Sequence, residues 1–164
     1  MNLKGKWSLI TGASSGLGWE YALQLSHLES NTILIARRGD RLSALKKEIL
    51  THNSKLKVEI LEIDLTEKGQ SKKIMEAIKE KGLQVSILIN NAGLGSYASF
   101  SSSPWKIQEE MILINIMALT ELTHSFISHM KDHQLPSFIT NISSIAAYIQ
   151  PPKFSTYNGC LLYT

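Results

Sequence analysis

The chain is predicted to be an α/β protein, a mostly parallel, doubly wound sheet with helices packed on both faces. Short β-rich runs alternate with longer helical patterns from one end to the other, in the order βαβαβαβαβ. The runs "TILIA" and "VSILIN" are almost continuously apolar, as central parallel strands covered on both faces must be. A glycine cluster, Gly12, Gly16 and Gly18, falls at the first strand-to-helix junction.

Taken in order, Lys6 to Ile10 is the first strand, followed by the glycine turn and a helix near Gly16 to Leu28. Thr32 to Ala36 makes a second strand and Arg41 to His52 a second helix. Glu59 and Glu62 interrupt the third strand, Leu56 to Ile63, which suits a sheet edge. A helix over Glu67 to Lys81 leads to the strand Val85 to Asn90. The long helix Pro104 to His133 opens on "SSSPW", where Ser103 can cap and Pro104 can take the first helical position. Strand Ser137 to Ser143 follows, and residues 1–164 read as a single domain without repeats or linkers.

Composition excludes several classes of function. With 164 residues, 43% of them hydrophobic and 19% charged, the chain can bury one core and is neither disordered nor fibrous. A net charge of +3 spread over mixed-sign helices gives no basis for a nucleic-acid groove. The one cysteine, Cys160, rules out an internal disulfide framework and a Cys-rich zinc site. The apolar stretch near the N-terminus is too short for a signal peptide, and no run approaches the roughly 18 apolar residues of a membrane span. The cytoplasm is the default expectation.

"SLITGASSGLGWE" has the form of a phosphate cradle. Its glycines can turn the chain tightly, admit a pyrophosphate to the backbone and let the helix approach the sheet, while the helix N-terminus supplies N–H groups. The spacing G-x-x-x-G-x-G differs from the commoner dinucleotide fingerprint, and glycines also simply end strands. After the second strand come Arg37 and Arg38, about 20 residues beyond the last glycine, where an acidic residue would read a ribose 2′-OH and arginine a 2′-phosphate. That favours NADP(H) over NAD(H); a solvated pair ahead of a helix is the alternative.

The ordered set "TGASSGLG" (11–18), "DL" (64–65), "NNAG" (90–93), Asn115 in "ILINIMA", and Ser144 with Tyr157 resembles the short-chain dehydrogenase/reductase family over essentially the whole chain. The resemblance implies a Rossmann-type, three-layer αβα fold and an oxidoreductase moving a hydride between NADP(H) and a small-molecule carbonyl or secondary alcohol. It implies a cofactor site made of Thr11, Gly12, Ser14, Ser15, Gly16, Leu17, Gly18, Arg37, Arg38, Asp64, Leu65, Asn91, Ala92 and Gly93. "NNAG" also suits a turn after a buried strand. Asn115 would be costly to bury without partners, and its family counterpart sits at a helix irregularity and helps hold a water of the proton relay.

The resemblance makes Tyr157 the acid/base, Ser144 the hydroxyl that orients the substrate oxygen, and Asn115 the third catalytic member. The family's lysine four residues after the tyrosine, which supplies positive charge and binds the nicotinamide ribose, is here Leu161. Lys153, four residues before Tyr157, is a candidate substitute or simply a solvated side chain. Family members also continue past the tyrosine helix with further strands and helices, so the resemblance implies a fold lacking its last elements and an exposed apolar edge at the fifth strand. Two other readings stay open: an inactive truncated or frameshifted dinucleotide-binding fragment, and an interaction module using the long helix and that edge.

His129 and His133 stand at i and i+4 without a third ligand, so no metal site is expected, and "HMKDHQ" reads as a solvated helix end. Met111, Leu119, Leu122, Phe126 and Met130 form a packing stripe. A homo-oligomer contact through helix 104–133 is left open by the family resemblance.

Overall fold

A computed structural model describes residues 2–162. Five strands, β1 (Trp7–Thr11), β2 (Asn31–Ala36), β3 (Val58–Glu62), β4 (Val85–Asn90) and β5 (Phe138–Asn141), form one parallel sheet in the order β3-β2-β1-β4-β5. Helices α1 (Gly16–His27), α2 (Gly39–His52) and α3 (Gln70–Glu80) connect the first four. Between β4 and β5 runs one continuous helical stretch: α4 (Trp105–Ile112), a π-helical segment (Leu113–Ala118) and α5 (Leu119–His133). A short α6 (Ser155–Leu161) closes the described chain. This is the doubly wound, Rossmann-type fold expected from the alternation. The order reverses at β1, between β2 and β4, and a crevice opens at such a switch point beyond the strands' C-terminal ends.

The period-two alternation of strand side chains builds a core on each face. Ile10, Leu34, Ile87 and Ile89 pack beneath α1 and α2 with Ala22, Leu25, Leu42, Leu45 and Ile49. Leu9, Ile33, Ile35 and Leu88 face the other way, onto Ile74 and Ile78 of α3 and Leu122 and Phe126 of α5. Central strands that are apolar on both faces are thereby explained. The edge reading of β3 is also borne out: Glu59 reaches Lys81 at 2.8 Å. β5 lies at the opposite edge, with Phe138 42% exposed.

Three details depart from expectation. Pro104 occupies the cap position of α4 in place of Ser103, so the helix begins at Trp105. The Trp105–His133 stretch, 29 residues, is long and apolar enough by composition to count as a membrane-span candidate, contrary to the sequence expectation. A core helix passes the same measure, and here Met111, Leu122, Phe126 and Met130 are turned into the protein. The packing stripe is thus spent within the chain; the exposed apolar residues of this stretch, Ile112, Ile116, Met117 and Ile127, lie elsewhere on its surface.

Finally, His129 and His133 are not a solvated helix end. His129 Nε2 accepts from the Val85 N–H at 3.1 Å, and His133 Nε2 lies 3.0 Å from the Val85 carbonyl oxygen while its Nδ1 accepts from the Leu135 N–H. The two rings, 5.2 Å apart, clamp the first residue of β4. Burial, then the neighbouring His133, lowers the pKa of His129 below its ordinary 6.5, with Asp132 opposing and Lys79 reinforcing the shift. A neutral ring is also what accepting from an N–H requires. Because the folded value lies below the unfolded one, this stabilisation is complete above pH 6.5 and is lost as pH falls through the window beneath it. Urea midpoints of the parent should therefore drop between neutral pH and pH 5 more steeply than those of His129→Gln, which keeps an acceptor that does not titrate. Equal slopes would contradict the clamp's titration.

Candidate active site

The glycine turn is built by sterics. Gly12 has φ +68°, and a Cβ there would come within 2.9 Å of the Ala92 Cα. A Cβ on Gly18 would stand 2.4 Å from the Gly12 carbonyl oxygen, so Gly18 serves the approach of α1 to the turn. Gly16, φ +57°, has open space where its Cβ would be, which leaves the backbone accessible to an incoming group. A helix N-terminus bordered by an open glycine fits a pyrophosphate.

Thr11 braces this turn from within. Its buried hydroxyl accepts from the N–H groups of Asn91 (3.0 Å) and Ala92 (2.9 Å), and the Asn91 amide donates back to the Thr11 carbonyl at 3.0 Å. The end of β1 is thereby stitched to the chain leaving β4. Thr11→Val removes the acceptor of two N–H groups at about 1 kcal/mol or more each, so a stability loss of roughly 2 kcal/mol is expected, with Thr11→Ser close to the parent. Urea unfolding decides it; a valine variant as stable as the serine variant would sink the brace.

A groove of about 540 Å³ runs over the turn, lined by Gly12, Ser14, Ser15 and Leu17, the ends of β2 and β3 with Arg37, Arg38, Asp64 and Leu65, and Asn91 to Gly93. Arg38 is preset: its Nη2 donates to Ser14 Oγ at 2.9 Å and Ser15 Oγ at 2.7 Å, and its Nε to Ser14 Oγ at 3.2 Å. Arg37 pairs with Asp64 at 3.5 Å. Burial alone would raise the Asp64 pKa, but the N–H and hydroxyl of Thr66 and the Arg37 guanidinium outweigh it and hold the carboxyl below its ordinary value. This donor set fits a dinucleotide bearing a 2′-phosphate: two arginines at the end of β2, a carboxylate beyond β3 and free backbone at the turn.

A second cleft, about 320 Å³, continues from the first and shares Leu17, Asn91, Ala92 and Gly93 with it. Its remaining walls include Gly95, Asn115, Ser143, Ser144, Tyr157 and Leu161. Half-buried Tyr157 packs against Gly95, where a Cβ would come 3.4 Å from its ring. Ser144 Oγ accepts from the Ala146 N–H at 3.2 Å, so its own hydroxyl proton remains to donate into the cleft.

Asn115 sits on the π-helical segment, the helix irregularity anticipated for it. Both ends of its carboxamide are spent on Leu94, Nδ2 donating to the carbonyl at 2.8 Å and Oδ1 accepting from the N–H at 3.0 Å. Its side chain fastens the loop after β4. Leu161 is buried against Ala146, Ala147 and Tyr157, and no lysine or arginine is among the described residues lining this cleft. Lys153 instead lies over the Tyr97 ring, 5.3 Å from its centre.

A family model described as short chain dehydrogenase matches residues 6–160. The chain belongs to the short-chain dehydrogenase family. It is 33% identical over 160 residues to the very-long-chain 3-oxoacyl-CoA reductase of Coccidioides immitis (strain RS), covering 95% of this chain and 45% of that protein. Against the 17-beta-hydroxysteroid dehydrogenase type 3 of Homo sapiens the identity is 35% over 160 residues, covering 94% and 49%. This short-chain dehydrogenase thus spans about half the length of the curated relatives it matches. Among solved structures, a short-chain dehydrogenase from Sphingobium yanoikuyae in complex with NADPH superposes with a TM-score of 0.88 at 29% identity, over 96% of this chain and 61% of that one.

Within this short-chain dehydrogenase the groove is lined by every cofactor residue read from the sequence except Thr11, Gly16 and Gly18, which belong to the turn itself. Sequence reasoning missed Arg41, whose Nε donates to the Ser14 carbonyl at 3.4 Å and which stacks on Trp19. Its signal was a third arginine in "RRGDR", which falls in the first turn of α2. Nothing in "GLGSY" foretells that Tyr157 packs on Gly95, though that loop, 93–100, is expected from the sequence to flank a pocket.

Proposed function

We propose that the chain binds NADP(H) and supports hydride exchange with the carbonyl or hydroxyl carbon of an apolar substrate, slowly because the position one turn after Tyr157 is leucine. The observation that carries this reading is the continuity of the arginine-bearing groove with the Tyr157–Ser144 cleft through Leu17 and Asn91 to Gly93. The cofactor, when bound, gives or takes the hydride. Ser144 donates its hydroxyl proton to the substrate oxygen and orients it, and the Tyr157 phenol delivers or accepts the proton at that oxygen. Arg38 and Arg37 hold the 2′-phosphate, Asp64 and Leu65 flank the adenine end, and the turn receives the pyrophosphate.

An apolar substrate is supported by the exposed side chains on the loops flanking α6, among them Tyr97, Phe100, Ile145 and Tyr148. The names of the two relatives, a 3-oxoacyl-CoA reductase and a hydroxysteroid dehydrogenase, point to the same class. Leu161 favours a second reading, cofactor binding without turnover. The test is NADPH oxidation with bulky ketones and 3-oxoacyl thioesters, parent against Tyr157→Phe. Slow, Tyr157-dependent turnover is expected; equal rates would leave the binding-only reading, and no NADPH binding at millimolar concentration would sink both.

A further inference from the structure

Tyr157 is carried by a helix too short to hold itself. α6 has seven residues, where isolated helices become marginal only at about 12–15. It contains Gly159, about 1 kcal/mol worse than alanine in a helix interior, and has no side-chain cap at Phe154. Tertiary ties must place it. One polar tie runs to the long helical stretch, beside Tyr157. Thr156, immediately before the tyrosine, donates its hydroxyl to Gln108 Oε1 on α4. Cys160 and Leu161, three and four residues after it, are buried and add apolar contacts.

Gln108 is conspicuous on its helix. It is only 6% exposed and precedes Met111, Asn115, Ala118 and Leu122 at spacings of three and four, so it occupies a place in the packing face that would suit an apolar residue. Burying an amide there is costly unless it is bonded. Neither Gln108 nor Thr156 lines the cleft. Their bond joins the first turn of α6 to the wall that also carries Asn115.

We propose that Gln108 and Thr156 are positioning residues, whose bond fixes the first turn of α6 and so sets where the Tyr157 phenol stands relative to Ser144. The inference rests on the reading of Tyr157 as the acid/base. Misplacing a reacting group by about 1 Å costs up to roughly a hundredfold in rate. The bond therefore matters to turnover more than to cofactor affinity.

The full chain labelled with 3-fluorotyrosine provides the test, the Tyr157 fluorine signal being assigned with Tyr157→Phe. Thr156→Val and Gln108→Leu should each shift or broaden that signal, the double variant should go no further than either single one, and Thr156→Ser should restore it. NADPH affinity should stay within about twofold throughout, and in a Leu161→Lys background kcat should fall roughly tenfold to a hundredfold in Thr156→Val with KM little changed. If Gln108→Leu does not fold, the near-isosteric Thr156→Val decides alone. A parental Tyr157 signal in Thr156→Val, or a serine variant as perturbed as the valine one, overturns the inference. Loss of NADPH binding by the parent would sink the cofactor reading, while a shifted signal in Thr156→Val would still support the mount.

Discussion

Leu161→Lys is expected to oxidise secondary alcohols with NADP at pH 7 at least tenfold faster than the parent. Oxidation requires the alcohol proton to pass to Tyr157, and only the ionised phenol can take it. A cation within about 4–6 Å favours the ionised form by roughly 1–3 pKa units, which is about ten- to a thousandfold in phenolate. Position 161 is one helical turn after Tyr157, buried against its ring, and lines the same cleft, so an ammonium placed there acts on the phenol directly. The acid limb of the rate profile should move to lower pH. Burying the charge lowers stability, and the variant should melt below the parent. Leu161→Met, similar in bulk and uncharged, should leave the rate unchanged, and Leu161→Lys with Tyr157→Phe should gain nothing. A lysine variant no faster than the methionine one would contradict the role given to Tyr157.

Arg38→Ala is expected to weaken NADPH binding by about 10- to 150-fold while leaving NADH nearly unchanged. The range corresponds to one charge-assisted hydrogen bond of about 1.5–3 kcal/mol. Arg38 carries the larger effect of the pair because its guanidinium is already aimed by the Ser14 and Ser15 hydroxyls, so little is lost in ordering it. Arg37 is shared with the Asp64 carboxylate, which offsets part of its charge, and Arg37→Ala should cost less. The difference between the two cofactors should shrink at high salt. Parallel weakening of NADPH and NADH in fluorescence titrations would place Arg38 in the turn's architecture instead of in recognition.

Much of this was legible in the sequence because local rules and the global fold agree. The unbroken apolarity of "VSILIN" follows from a strand with cores on both faces, and Glu59 in β3 from an edge. The glycine turn could be read because a strand-to-helix turn is a local object. What stayed hidden depends on tertiary neighbours. His129 and His133 look solvated in "HMKDHQ", yet the start of β4 passes beneath them and offers Val85 to both rings. Thr11 resembles a ligand-binding residue, but its hydroxyl is spent on two N–H groups some 80 positions away. Gln108 left a trace, a polar residue in the packing stripe, though its partner on α6 cannot be read from spacing.

The most direct measurement of the central claim, that the groove is built for a 2′-phosphorylated dinucleotide, is calorimetric titration of the parent chain with 2′,5′-ADP and with 5′-AMP. Binding of 2′,5′-ADP at least tenfold tighter than 5′-AMP, with that advantage lost in Arg38→Ala, is the result the account predicts. Equal affinities, or a preference for 5′-AMP, would contradict it.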